Sequence, residues 1–156
     1  MKLVVITGSR VWTERSAIEA VLRGADGLLV GDCETGADDI AIDVAMDWDV
    51  VTTVFCAGGE KRAKQLRDKW EARGKVIATR VISDWMQKGM KFAAGPIRNR
   101  GMAKEAAVLA GDFEIDPHAF LLGESRGTRD CIKALQESGF EAREHGPMVT
   151  AQARLF

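Results

Sequence analysis

The chain has 156 residues, 46% hydrophobic and 29% charged, and its 22 basic and 23 acidic side chains leave a net charge of −1. That length fits one folded domain with a real core, and the charge balance supplies no global field that would draw the chain onto nucleic acid or a membrane surface. Three widely spaced cysteines and two histidines offer neither a disulfide framework nor a metal-ligand spacing, and the opening apolar run is too short for a signal peptide or a membrane span, so a cytoplasmic protein without metal or cofactor is expected.

Lys2 to Thr7 is a β-branched run that ends at Gly8-Ser9-Arg10, and Trp12 to Arg23 follows with Ile18, Val21 and Leu22 at helical spacing. Gly8 would let backbone approach a ligand, Ser9 brings a hydroxyl, and Arg10 brings a fork suited to phosphate or carboxylate. Gly27 to Gly31 reads as a second buried strand. It runs into Asp32-Cys33-Glu34-Thr35-Gly36-Ala37-Asp38 and a helix carrying Ile40, Val44 and Met46, with Thr35 and Asp38 spaced as a capping box. Gly31 and Gly36 bracket a turn at a strand's carboxyl end, where open α/β sheets bind ligands.

Val50 to Cys56 is a third strand, and Glu60 to Arg73 a helix with Ala63, Leu66 and Trp70 on one side. From Glu60 to Lys75 there are seven basic and three acidic residues, read as a solvated amphipathic face in preference to a nucleic-acid lid. Lys75 to Ile82 is a fourth extended run, followed by Asp84-Trp85 and a loop over Gln87 to Ala94. Gly95-Pro96 then starts a helix to about Ala110, because proline suits a first helical position. At 100° per residue, Arg98 falls on the apolar side with Ile97, Met102, Val108 and Leu109, while Asn99 and Arg100 project elsewhere. An inward guanidinium at a helix start calls for an anionic ligand or a core carboxylate.

Gly111 to His118 carries no pattern and reads as a surface loop. Ala119 to Leu122 is a fifth strand ending at Gly123-Glu124-Ser125-Arg126-Gly127-Thr128, before a helix with Ile132, Ala134 and Leu135 that stops at Gly139. Phe140 to Glu144 is an edge strand, and residues 145–156 form a tail. Four strand-to-helix junctions thus carry glycine, hydroxyl and charged residues. In a mainly parallel sheet with right-handed crossovers they share one edge, where helix N-termini converge on a crevice with anion-binding character. A Gly-x-Gly-x-x-Gly fingerprint and a Walker-type loop are both missing, which argues against NAD-type redox chemistry and ATP hydrolysis.

Thr7-Gly8-Ser9-Arg10 with Trp12, Gly36-Ala37-Asp38, Asp84-Trp85, Ala94-Gly95-Pro96-Ile97-Arg98-Asn99, and Arg126-Gly127-Thr128 with Asp130 resemble the YspA-like branch of the SLOG superfamily, which includes the LOG phosphoribohydrolases and the DNA-processing protein DprA. The resemblance spans roughly Lys2 to Glu144. It implies a Rossmann-like three-layer α/β sandwich, a homodimer or higher homo-oligomer, and a pocket for a nucleotide-derived molecule such as ADP-ribose or a cyclic nucleotide. It makes Gly58 to Lys75 a helical insertion. The ligand shell comprises Gly8, Ser9, Arg10, Gly31, Asp32, Gly36, Asp38, Gly95, Arg98, Asn99, Gly123, Ser125, Arg126, Gly127 and Thr128, with Trp12 and Trp85 as stacking surfaces. LOG enzymes carry a glutamate where this chain has Cys131. A hydrolase would therefore depend on Arg98 with Asp130 or Glu124 as the carboxylate, since a thiol neither stabilises an oxocarbenium-like state nor activates water well. The expected function is accordingly a sensor or sequestering protein for such a ligand, with N-glycosidic hydrolysis of a nucleoside 5′-monophosphate as the alternative and DprA-like nucleic-acid binding as the second.

Overall fold

Successive side chains of an extended chain point to opposite faces. Val4 and Ile6 therefore enter one core while Leu3 and Val5 enter another, and Leu28 and Val30 separate from Leu29 in the same way. The computed structural model, which describes residues 1–81 and 94–147, builds these runs into β1 (Lys2–Gly8), β2 (Gly27–Gly31), β3 (Val51–Cys56), β4 (Ala78–Val81), β5 (Glu114–Phe120) and β6 (Arg143–His145). The helices are α1 (Arg15–Leu22), α2 (Ala37–Asp47), α3 (Gly59–Glu71), α4 (Ala94–Leu109) and α5 (Arg126–Glu137). All strands are parallel, in the order β4-β3-β2-β1-β5-β6.

The first core joins the sheet to Ile18 and Leu22 of α1, Ile42 and Val44 of α2, and Leu66 and Trp70 of α3. The second joins its other face to Met102 and Ala106 of α4 and Leu135 of α5. The chain is thus a Rossmann-like three-layer α/β sandwich. It steps outward from β1 to β4 and then returns to place β5 on the other side of β1. That reversal leaves a crevice beyond the carboxyl ends of β1 and β5. Among the described residues, no helix is long and apolar enough to cross a membrane.

Several expectations shift. The first helix starts at Arg15, after Trp12, and Glu114 to His118 forms the first part of β5, not a loop. In α4 the buried stripe is Asn99, Met102, Ala103 and Ala106, one residue out of phase with the expected face, and Val108 is 74% exposed. No capping box forms: Gly36 is the N-cap of α2, without a side-chain cap bond, and Asp38 is buried. The residues expected as a helical insertion contain α3, which links β3 to the parallel β4. Its buried Leu66 and Trp70 contribute about 1.5–3 kcal/mol each by area removed from water. Trp85, Asp84 and the 148–156 part of the tail lie outside the described residues.

Candidate functional site

Ser9 ties three elements together just past β1. Its N–H donates to Phe120 O at 2.8 Å and its hydroxyl to Leu122 O at 3.1 Å, while its carbonyl accepts the N–H groups of Trp12 and Ala37. The close approach of α2 to this carbonyl is what Gly36 permits. Its φ is +82°, and a Cβ there would stand 2.2 Å from Ser9 O. Gly8 is small for a packing reason, since a Cβ on it would stand 2.4 Å from that of Ala37 and 2.9 Å from Phe120 O. The end of β1, the start of α2 and the exit of β5 are thereby one rigid floor.

Two clefts open above it. The larger, about 690 Å³, lies over the ends of β2 and β3 and is lined by Asp32 to Thr35, by Ala57, Gly58, Lys61, Arg62 and Gln65 around the start of α3, and by Ala94 and Gly95 of α4. The smaller, about 320 Å³, lies at the β1–β5 crevice, between Thr7 to Val11, Asp38 and the segment Glu124 to Thr128. Arg10, Cys33 and Arg98 line both and form the waist between them.

In the larger cleft the chain supplies its own anion. Asp32 accepts N–H groups from Ala57 at 3.0 Å and Gly58 at 2.8 Å, and Arg98 Nη1 at 2.8 Å, with both charged side chains largely buried. Arg62 Nε adds a bond to the Asp32 carbonyl at 3.1 Å. Two backbone donors at the start of α3 and a guanidinium are an anion-binding nest, and here a carboxylate fills it. Of the two partners open to Arg98, the core carboxylate is the one it takes. Burial works against the Arg98 charge, but Asp38 and Asp32 offset this and hold its pKa above the ordinary value.

The smaller cleft is arranged differently. Arg126, Gly127 and Thr128 open α5, whose first helical bond runs from Arg129 N–H to Ser125 O, so the preceding N–H groups have no partner within the helix. Ser125 is the N-cap but makes no side-chain cap bond; its hydroxyl pairs with that of Thr128. Arg10, Arg98 and Arg126 surround this helix start. Asn99, 2% exposed, fixes it from α4. Its amide donates to Gly127 O at 3.2 Å and to Asp130 at 3.0 Å, and its oxygen accepts from Arg98 Nε at 3.2 Å.

Gly31 forms the floor under the waist, since a Cβ there would stand 2.7 Å from Asp38 Oδ2 and 2.8 Å from Arg98 Nη1. Asp38 is 4% exposed. Its Oδ2 has a long contact with the Cys33 N–H, at 3.5 Å, the Cys33 thiol also bonds the carboxylate, and the enclosed Oδ1 has no hydrogen-bond partner. Burial pushes the Asp38 pKa up, against the pull of Arg98, and burial also raises the Cys33 thiol.

Other expected site residues lie elsewhere. Trp12 is core, 3% exposed and edge-on to Phe120, with its indole N–H on Glu14 O at 2.9 Å, so it has no face left for stacking a base. Among the described residues no aromatic ring lines either cleft. Gly123, at φ +67°, turns the chain out of β5 and lines neither cleft, and Asp130 is engaged by Asn99. Glu124 does line the smaller cleft. Cys131 is fully buried at the edge of the second core, its thiol pushed up to about 12 by burial against a hydrogen bond with Thr7, which lines the smaller cleft. On α3 the cations are largely balanced: Arg67 pairs with Glu60, Lys64 with Asp68, Lys69 with Asp43, and nearby Lys75 with Asp49.

No protein-family model matches the chain, and no solved structure matches it. The chain is similar to the Gene 61 protein of Mycobacterium phage D29, with 32% identity over 151 residues that cover 94% of this chain and 98% of that protein.

Proposed function

The chain belongs to the family of the Gene 61 protein of Mycobacterium phage D29, and from its site we propose that it binds a nucleotide or nucleotide-derived ligand, such as ADP-ribose or a cyclic nucleotide, as a sensor or sequestering protein. The observation that carries this reading is the open start of α5 in the β1–β5 crevice, beside Arg10 and Arg126, with Arg98 at its edge engaged by Asp32 and Asn99. Unpaired helix donors and arginine forks at a topological switch point favour a phosphate group. From there the waist leads into the larger cleft, whose volume lies in the range that takes a drug-sized molecule. Phosphate in the smaller cleft, sugar at the waist and base in the larger one is the pose this layout favours.

The test is a titration with AMP, ADP-ribose and cyclic AMP, followed by melting temperature and calorimetry. Saturation at a hundred times Kd adds about 2.7 kcal/mol, which is about 5–10 °C in Tm for a chain of this size. Arg126→Ala and Arg10→Ala should each weaken binding without lowering the ligand-free Tm. A wild-type protein that responds to no nucleotide overturns the reading.

One observation favours the hydrolytic alternative. Glu124 lines the same small cleft as Arg98, which gives that cleft a carboxylate that is not tied up as Asp32 and Asp130 are. Release of free base from a nucleoside 5′-monophosphate, abolished by Glu124→Gln, would establish it; intact monophosphate after long incubation would exclude it.

A further inference from the structure

The sequence holds two histidines, 27 positions apart, and the fold bonds them to each other. His118 on β5 is 2% exposed, and its Nδ1 stands 2.8 Å from Nε2 of His145, the last residue of β6. The two rings are 24° from parallel with centroids 5.1 Å apart, so they meet edge to edge through these nitrogens and do not overlie one another. The ring of Phe120 lies flat against His145, 4.6 Å away at 15°, and fixes the plane of that imidazole. On the other side, His118 Nε2 stands 2.9 Å from Asp116 Oδ2, which is 3.2 Å from Lys2 Nζ. Lys2, Asp116, His118 and His145 are thus a row of titratable groups running from β1 across β5 to β6, with Arg143 the further charge that acts on His145. None of these groups lines either cleft.

A bond between two ring nitrogens needs one to donate and the other to accept, so the pair keeps it with no added proton or with one. With two, both facing nitrogens carry hydrogen, neither can accept, and two positive rings are left side by side. What this bond holds is the end of β6. That strand pairs with β5 at three positions, the last being Phe120 with His145, and the next N–H, of Leu121, donates to the His145 carbonyl at 2.8 Å. The carbonyl of Leu122 then accepts the Ser9 hydroxyl on the floor of the smaller cleft. We propose that the His118–His145 pair is a pH-operated latch: with at most one added proton it holds β6 against the exit of β5, and a second proton releases that end of β6 and loosens this wall of the smaller cleft. The latch is independent of what the clefts bind. Its direction follows from His145. Burial, His118 and Arg143 hold the His145 pKa below its ordinary 6.5, and Asp116 offsets only part of this. The released strand takes the proton at the ordinary value and the closed one only below it, so the closed state is fully favoured above 6.5 and weakens as pH falls from there through the folded pKa.

The experiment follows amide hydrogen exchange at Leu121 by NMR from about pH 8 to about pH 5, expressed as a protection factor so that the intrinsic pH dependence of exchange cancels. Wild-type protection should be level above the ordinary histidine value and then fall by up to about tenfold per pH unit, the linkage limit for one proton. Val5, on a strand paired on both sides, should keep its protection over the same range. His145→Phe keeps a ring against Phe120 and takes no proton, so its Leu121 protection should not fall with pH. A second readout needs no variant: because the chain has only these two histidines, imidazole nitrogen spectra of the wild type show uptake of the last proton directly, and it should coincide with the loss at Leu121. Level Leu121 protection through that uptake would overturn the latch. So would a fall that persists in His145→Phe, or a parallel loss at Val5, which would mark acid unfolding of the whole sheet.

Discussion

The two clefts share a waist but differ in who supplies the anion. Over β2 and β3, Ala57, Gly58 and Arg98 converge on Asp32, and the nest is closed by the chain itself. Over β1 and β5, the start of α5 lies beside Arg10 and Arg126, and no carboxylate bonds its first N–H groups among the described residues. Both places have a helix N-terminus at the carboxyl edge of a parallel sheet. Convergent donors therefore do not by themselves identify a ligand site; what distinguishes one is the lack of an internal partner.

The largest effect should come from opening the closed side. Asp32→Ala removes the carboxylate that bonds the buried Arg98 guanidinium and two backbone donors, and should cost about 3–5 kcal/mol in urea unfolding. Sulfate should restore part of that loss in the variant and none in wild type, because the vacated nest becomes an anion site. A variant as stable as wild type would break the comparison. Next, Gly31→Ala should cost about 1–3 kcal/mol, as for an overpacked core, and should weaken ligand binding as well, since its Cβ would meet Asp38 and Arg98 together.

A smaller effect separates carboxylates by pH. The folded pKa of Asp38 is raised above its ordinary 3.8, so the stability it contributes is fully present below that value and is lost as pH rises through the folded pKa. Wild type should fall relative to Asp38→Asn across that window, by about 1.4 kcal/mol per pH unit at most. Asp116 has the opposite sign. Burial raises its pKa, but His118 and Lys2 outweigh this and lower it, so its contribution is present above 3.8 and lost as pH falls through the folded value. Stability curves for Asp38→Asn and Asp116→Asn should therefore tilt in opposite directions. The smallest effect belongs to Lys64→Ala, which breaks an exposed pair with Asp68 and should change stability by under about 0.5 kcal/mol and leave AMP binding unchanged.

Sequence patterns identify the sheet where strands are buried on both faces. Gly27 to Gly31 is an unbroken apolar run bounded by an aspartate on each side, and its expected bounds match those of β2. The start of β5 is hidden because Glu114, Asp116, Pro117 and His118 are polar or strand-breaking. They sit there because β6 pairs only from His118 onward, so Pro117 lies on an unpaired edge where its missing N–H leaves no gap in a ladder. His118 Nε2 also stands 2.9 Å from Asp116, with Lys2 at 3.2 Å from Asp116. The phase error in α4 has a similar cause: Asn99 is buried for its bonds to α5, and a hydropathy pattern gives no credit to a buried amide. Glycines and arginines at strand ends marked where the clefts would be. Which carboxylate answers which donor depends on contacts between residues 32 and 98, and 99 and 130, which no local pattern encodes.

β1 is synthesised before β2 and β5 and is enclosed only when both have paired with it. Its partner on one side, β2, follows within thirty residues, but on the other side Leu3 pairs with Ile115 and Gly8 with Phe120. At about 5–20 residues per second, the nascent chain carries β1 with one bare edge for roughly 5–25 s. Over that interval the β1–β5 crevice does not exist, whereas Asp32 can already cap the start of α3 with its own carboxylate. The donors nearest in the chain are thus quenched early by an internal group, and the cleft left open is the one whose two walls meet only after β5 has been made. The open β1–β5 crevice is consequently a property of the finished fold and cannot guide its assembly.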